Sequence, residues 1–221
     1  MKAQLVRSLE DILKVVQGYA KTTVIYRGVR SSKYELISTI GRRRWGGKAL
    51  ALKDERYILR LFKQRAVAHL DRTPTDDWEW LALAQHHGLP TRLLDWTRNP
   101  LVAAYFAVAE DADEDSAIYA YQSNKYLQVE SQKDPFSVDR VARVIPNHVT
   151  ARISVQSGLF TIHPSPSEPF TAPGVEKFVI PANSRKPIKR ALHKVGIDNA
   201  SLFPDLDGIA RHIDWLRTEG H

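Results

Sequence analysis

Residues 85–107 read QHHGLPTRLLDWTRNPLVAAYFA. The stretch ends one helix, crosses the fold and starts another, and this order decides the fold class. Gly88 and Pro90 stop the first helix. Thr91 to Trp96 has room only for a short strand or an extended link. Asn99-Pro100 then supplies an N-cap and a first-turn proline for an apolar helix over Leu101–Ala109. Gln85, His86, His87, Thr91, Arg92 and Asp95 crowd against that helix. A segment that only built core would not hold so many polar and titratable groups. Connections held by rigid elements are where binding and catalytic groups concentrate.

Outward toward the N-terminus, Asp76 or Asp77 caps the helix that ends near His87. Pro74 separates it from a helix over 50–70, where Leu52, Tyr57, Ile58, Leu61, Phe62 and Val67 recur at helical spacing. Residues 28–49 read as irregular, with the basic run Arg42-Arg43-Arg44 ahead of Trp45-Gly46-Gly47. Thr22 to Tyr26 is β-branched and reads as a strand ending at Arg27-Gly28. Ser8 opens a helix through Ala20 on a stripe of Leu9, Ile12, Leu13 and Val16.

Toward the C-terminus, an acidic turn at 110–115 leads to a strand over 117–121. Residues 123–147 read as a loop with a short helix near Val138–Val144. Ile153 to His163 reads as a strand interrupted at Gly158, and Pro164 to Pro173 as a proline-rich turn. Lys177–Ile180 is a strand ended by Pro181. Ser184 caps a helix to Val195, with Gly196 closing it. A last helix covers about Asp205–Arg217. Helices and strands interleave without a Rossmann glycine fingerprint, so the class is mixed α/β (α+β).

The chain has 221 residues, which suits one domain over 1–221. Hydrophobic residues at 43% and charged residues at 26% fit an ordinary globular core. The absence of cysteine excludes disulfides, thiolate catalysis and cysteine-ligated zinc. No apolar run is long enough to span a bilayer, and the first residues lack a cleavage pattern, so a cytoplasmic location is the expectation. The net charge of +7 favours an anionic partner such as a nucleotide or nucleic acid, and equally fits a solvated basic surface.

Arg27 at a strand end can present its planar fork to a phosphate or carboxylate, or form a structural ion pair. Gly28 behind it permits a close approach. His86 and His87 point about 100° apart on a helix, so they do not form a metal pair and no metal is expected. His86 is the candidate acid, base or binding group, and His87 the helix-end residue. Gln85 can meet a ligand amide or ribose, or brace the turn. Arg92 and Asp95 diverge on an extended chain, or pair to fix a bend. Trp96 reads as scaffold. Gln156 and Glu176 are the polar candidates on the late β-like segments, with a surface pair to Lys177 as the plain reading of Glu176. Arg42–Arg44 and the basic stretch Arg185–Lys194 are candidate phosphate-tracking surfaces.

Tyr26-Arg27-Gly28, QHHGLPTRLLDWT at 85–97, Pro100 to Ala103 with Phe106-Ala107, QSGLF at 156–160 and the tail from Lys177 to Gly208 resemble the FRG-domain family, over about 22–210. A second resemblance is to ADP-ribosyltransferases. Val24 to Gly28 is similar to their first motif, whose arginine holds a phosphate of NAD. Asp95-Trp96-Thr97 stands where they carry Ser-Thr-Ser, and Phe178 to Pro181 resembles the strand of their catalytic glutamate. At the glutamate position this chain has Lys177, with Glu176 one residue away and so on the opposite strand face.

The second resemblance implies a split β-sheet flanked by helices, and NAD as the substrate of ADP-ribosyl transfer or hydrolysis. In that reading Arg27, His86, Asp95 and Glu176 are catalytic. Tyr26, Arg27, Gly28, Gln85, Arg92, Thr97 and Gln156 bind the nucleotide. Two other functions stay open. One is a non-catalytic module for a nucleotide or nucleic acid. The other is a phosphodiester hydrolase that uses His86 and Asp95.

Overall fold

The computed structural model describes residues 4–19, 23–129, 131–145 and 151–220. In chain order its strands are β1 (Gln4–Leu5), β2 (Val24–Val29), β3 (Arg44–Trp45), β4 (Lys48–Ala49), β5 (Leu93–Thr97), β6 (Ser116–Gln122), β7 (Ala142–Val144), β8 (Gly158–Ile162) and β9 (Val175–Ile180). The α-helices are α1 (Leu9–Gln17), α2 (Leu52–Ala66), α3 (Asp77–His86), α4 (Pro100–Val108), α5 (Ala151–Val155), α6 (Ala182–Lys194), α7 (Asn199–Leu202) and α8 (Leu206–Thr218). Seven strands form one mixed sheet in the order β1-β9-β6-β2-β5-β8-β7, while β3 and β4 form a separate hairpin. Only β1 and β9 run parallel in the register of the large sheet; its other pairs are antiparallel.

The helix starts follow from local chemistry. Ser8 accepts from the Asp11 amide, and Asp76 from the Glu79 amide. Asn99 accepts from the Leu101 amide, with Pro100 in the first turn of α4. Each cap satisfies a donor that the helix itself leaves unpaired.

The sheet divides between β2 and β5. β6 pairs with β2 in register over six residues, and β8 with β5 over five. Between β2 and β5, among the described residues, the register is the single pair Tyr26↔Thr97. Beyond it the two strands part. One half packs Val24, Tyr26, Ile118, Ala120 and Phe178 against α1, α4 and α6. The other packs Leu93, Phe160 and Ile162 against α2 and α3. A third cluster lies on the opposite face, where Ile25, Leu94, Trp96 and Tyr119 meet Leu36 and Phe170. Gly28 fixes the first half: a Cβ there would stand 1.9 Å from the Ala103 carbonyl oxygen and 2.6 Å from the Ala107 amide nitrogen. The glycine admits the backbone of α4.

Four segments differ from the sequence reading. The helix expected near Val138–Val144 is instead a 3-10 turn at Pro135–Ser137 followed by β7. The strand expected from Ile153 to His163 begins only at Gly158, because Ile153 to Val155 belong to α5 and Ser157 turns the chain at φ 49°. α6 starts at Ala182 on Pro181, two residues before the expected cap Ser184. The first expected strand runs on through Arg27 and Gly28 to Val29. The expected ends at Ala20 and Thr22 lie outside the described residues. No helix among the described residues is long and apolar enough to cross a membrane.

Candidate functional site

A cavity of about 1110 Å³ opens where β2 and β5 part. Its floor carries Tyr26, Arg27, Gly28, Asp95 and Thr97. One wall is the end of α3 with Gln85 and His86, and others are Phe106 of α4, Gln156, and the segment after β2 with Arg30, Tyr34 and Arg42. The volume is at or above the roughly 300–1,000 Å³ of small-molecule sites.

Arg27 sits at the fork. Its Nη1 donates to the Asp95 carbonyl oxygen at 2.6 Å and lies 3.5 Å from Asp95 Oδ2. Gln85 Nε2 donates to the same Oδ2 at 2.8 Å. Gln85 Oε1 accepts from the Thr91 hydroxyl at 2.6 Å, and Thr91 Oγ1 accepts from the Leu93 amide at 3.1 Å. The chain of bonds ties the end of α3 to the start of β5 and sets the Asp95 carboxylate in place. That carboxylate is 56% exposed, whereas Arg27 is 21% exposed, so the guanidinium is largely sunk and the acid faces the opening.

Besides Arg30, which pairs with Glu110, the cavity has a further guanidinium in Arg42. It donates to the Ile37 carbonyl oxygen and to Thr39 Oγ1. Burial holds its pKa below the ordinary arginine value, and the nearby charges of Arg27 and Arg43 act the same way, while Asp95 opposes them. Two guanidinium groups within electrostatic reach of each other favour an anion between them. The sequence reading took Arg42–Arg44 as one surface run. Arg42 instead turns into the cavity, because its loop is pressed onto the 164–173 turn: a Cβ on Gly41 would lie 1.7 Å from the Pro166 carbonyl oxygen. All three arginines are exposed, and of them Arg42 borders the cavity.

Of the expected site residues, Tyr26, Arg27, Gly28, Gln85, His86, Asp95, Thr97 and Gln156 all border this one cavity. Several have internal duties there. The Tyr26 ring is core, and burial raises its pKa. The Thr97 hydroxyl donates to the Gln156 carbonyl oxygen at 2.7 Å and accepts from the Asn99 amide at 2.9 Å. Gln156 Nε2 donates to the Leu202 carbonyl oxygen at 3.0 Å. His86 stands edge-on to His87, their rings 4.9 Å apart.

Arg92 and Glu176 lie elsewhere. Arg92 faces away from the cavity into a buried two-point pair with Glu55 of α2, at 2.9 and 3.1 Å. Glu176 stands in register with Ala120, which is in register with Tyr26, so it shares the helix-covered face, where it interacts with Tyr19. The row of Arg27 holds Tyr119 and Lys177. Lys177, at the position where the transferase resemblance calls for a glutamate, donates to the Ser32 carbonyl oxygen. Of the expected basic stretch on α6, Arg185 is drawn inward while Lys186, Arg190 and Lys194 stay exposed. Arg185 is buried and donates to the carbonyl oxygens of Arg30, Glu114 and Glu110, and Lys186 and Lys189 pair with Asp111 and Glu219.

The sequence reading missed His163, buried behind the cavity floor. Trp96 Nε1 donates to Thr161 Oγ1 at 2.9 Å, and that hydroxyl shares a hydrogen bond with His163 Nε2 at 2.8 Å. Burial first, then the charges of Arg27 and Arg92, pushes the His163 pKa down to about 4. The ring is neutral at pH 7.

A family model for the FRG domain matches residues 22–116. No curated protein and no solved structure matches the chain. The matched span contains the fork arginine, Arg42 and the Gln85–Asp95 bracket, so residues 22–116 carry an FRG domain.

Proposed function

We propose that the cavity binds NAD and that the protein cleaves its nicotinamide–ribose bond, passing ADP-ribose to water or to an acceptor. The observation that carries this reading is that Arg27 and Arg42 border one cavity with Asp95, an outward-facing carboxylate held by Arg27 and Gln85 at the fork of a split sheet. The two guanidiniums clamp the pyrophosphate, a job suited to planar forks. Arg27 is committed only through Nη1 among the described residues, which leaves the Nη2 edge for a ligand.

In the reaction the C1′–N bond breaks and its electron pair leaves with neutral nicotinamide. The ribose carries developing positive charge, which the Asp95 carboxylate stabilises. Water or an acceptor hydroxyl adds at C1′ and releases its proton. Glu176 is left out of this scheme because it lies on the helix-covered face.

The second reading, nucleotide binding without turnover, is favoured by Lys177 in the row of Arg27. Both readings are tested with purified protein and NAD, following nicotinamide release by chromatography and binding by calorimetry. Arg27→Lys keeps a donor for the Asp95 carbonyl but loses the fork, and should weaken NAD binding at least about tenfold, the equivalent of one good charge-assisted hydrogen bond. Asp95→Asn should remove turnover and keep binding. Binding without release in the wild type selects the second reading. Neither binding nor release rejects both. Salt-sensitive binding of an oligonucleotide in that case points to nucleic acid.

A further inference from the structure

Three helices away from the cavity meet at a second polar cluster. His193 ends α6, Asp198 caps α7 and His212 lies in α8. Asp198 divides its carboxylate between two tasks. Oδ1 accepts from the Ser201 amide at 2.9 Å as the helix cap. Oδ2 points the other way and lies 3.4 Å from His193 Nδ1 and 3.7 Å from His212 Nε2. All three ligand atoms lie within 4.8 Å of one another. The side chains are 32%, 15% and 16% exposed, well withdrawn from solvent.

We propose that His193, Asp198 and His212 bind one zinc-class divalent ion. Two imidazoles and a carboxylate are a donor set that suits zinc and its first-row neighbours. In a tetrahedral site with bonds of about 2.0–2.1 Å, neighbouring ligands stand about 3.3 Å apart. The two distances to Oδ2 are close to that figure, so small side-chain rotations complete the site. The space between the groups is a cavity of about 10 Å³, enough for about one ion or water. No substrate fits beside an ion there, so the ion is structural, with a water or the neighbouring Tyr105 hydroxyl in the fourth position. Trp215 walls the site, stacked on His212 at 6.2 Å and edge-on to His193 at 5.2 Å. Lys189, the nearest cation lining it, leans over Trp215 toward Glu219.

The ion would staple α6 to α8 through the cap of α7. α7 in turn supplies the Leu202 carbonyl that holds Gln156 at the main cavity. The proposal is independent of NAD binding. The rival account is a metal-free cluster in which protonated imidazoles pair with Asp198.

The untagged full chain, stripped with a chelator, is titrated with Co²⁺ and then Zn²⁺. The expected result is one equivalent of Co²⁺ with the strong visible absorption of tetrahedral coordination, bleached by Zn²⁺, and a higher melting temperature with Zn²⁺. His212→Gln should weaken binding by more than the roughly 10- to 100-fold cost of losing an outer-shell partner. Asp198→Asn retains a competent cap and serves as the second variant, with the same expected loss in a chain that still folds. Absence of the absorption in the wild type overturns the proposal. So does an equivalent of metal that survives in both folded variants, since it would then reside outside this cluster.

Discussion

Arg92→Ala should destabilise the protein severely while telling nothing directly about ligand binding. Arg92 and Glu55 are 3% and 5% exposed and meet through two bonds, Nε to Oε2 at 2.9 Å and Nη2 to Oε1 at 3.1 Å. The guanidinium also lies over Phe136, 5.1 Å from its ring centre. Removing one partner strands a charge in the core, at a cost of about 3–5 kcal/mol. For a chain of this size each kcal/mol lowers Tm by about 2–4 °C, so the expected loss is roughly 6–20 °C. Much of that penalty belongs to the stranded Glu55 rather than to the worth of the pair. The double variant Arg92→Met with Glu55→Leu removes both charges and should recover most of the loss.

Urea unfolding of the wild type, both single variants and the double variant closes a cycle that isolates the coupling. The double variant should also bind NAD as the wild type does, because the pair points away from the cavity. A single-variant loss below about 1 kcal/mol, or a double-variant loss equal to the sum of the singles, would refute the buried-pair reasoning. A stable Arg92→Ala chain that fails to bind ligand would restore Arg92 to the site.

Two further outcomes follow from local geometry. Gly28→Ala drives a Cβ to 1.9 Å from a backbone oxygen of α4, and since neither backbone can rotate away, the cost should reach or exceed the 1–3 kcal/mol typical of overpacking, about the same range here by urea midpoint. His163 has a folded pKa of about 4 against an ordinary 6.5, so as pH falls the unfolded chain takes up the proton first. Its contribution is full above about pH 6.5, declines down to about pH 4, is flat below, and is on the order of 3 kcal/mol. Unfolding series from pH 4 to pH 7.5 should show a steeper acid loss for the wild type than for His163→Gln, and equal slopes would contradict the depressed pKa.

The elements that could be read in the sequence are those set by local chemistry. Ser8, Asp76 and Asn99 cap where a side-chain oxygen precedes a periodic run, and Gly196 closes α6 at φ 81°. Where tertiary pairing outweighed local preference, the reading failed. Val138, Val141 and Ala142 mimic helical spacing, yet β8 draws 142–144 into the sheet. Ile153 and Val155 favour strands by their branching, yet they lie in α5.

The site divides the same way. Gln85 and Asp95 lie within one short stretch, while Arg92, just ahead of β5, turns to α2 and Asp95 borders the cavity. Alternation does not say which face meets the cavity. Glu55, the residue that decides it, lies 37 positions from Arg92. Arg42 was hidden for a related reason: its direction depends on Gly41 meeting Pro166, a contact no local pattern encodes.

The cavity follows from how the two halves of the sheet are held. β2 is fixed by six register pairs to β6 and by the seating of Gly28 on α4. β5 is fixed by five pairs to β8 and by the Arg92–Glu55 pair to α2. Each half is anchored to its own helices, and Tyr26↔Thr97 joins them in register. In a continued antiparallel ladder Gly28 would stand opposite Asp95. With the strands parted, the Asp95 carbonyl loses its ladder donor, and backbone groups seldom stay unpaired. Arg27 supplies the missing donor from its side chain. The arginine therefore has a structural duty at one nitrogen and an open edge at the other, and it reaches the cavity because the strands diverge there. Ligand binding at this fork acts on the half that α4 holds through Gly28, so displacing α4 from Gly28 should be felt at the site even though that helix contact does not touch the ligand.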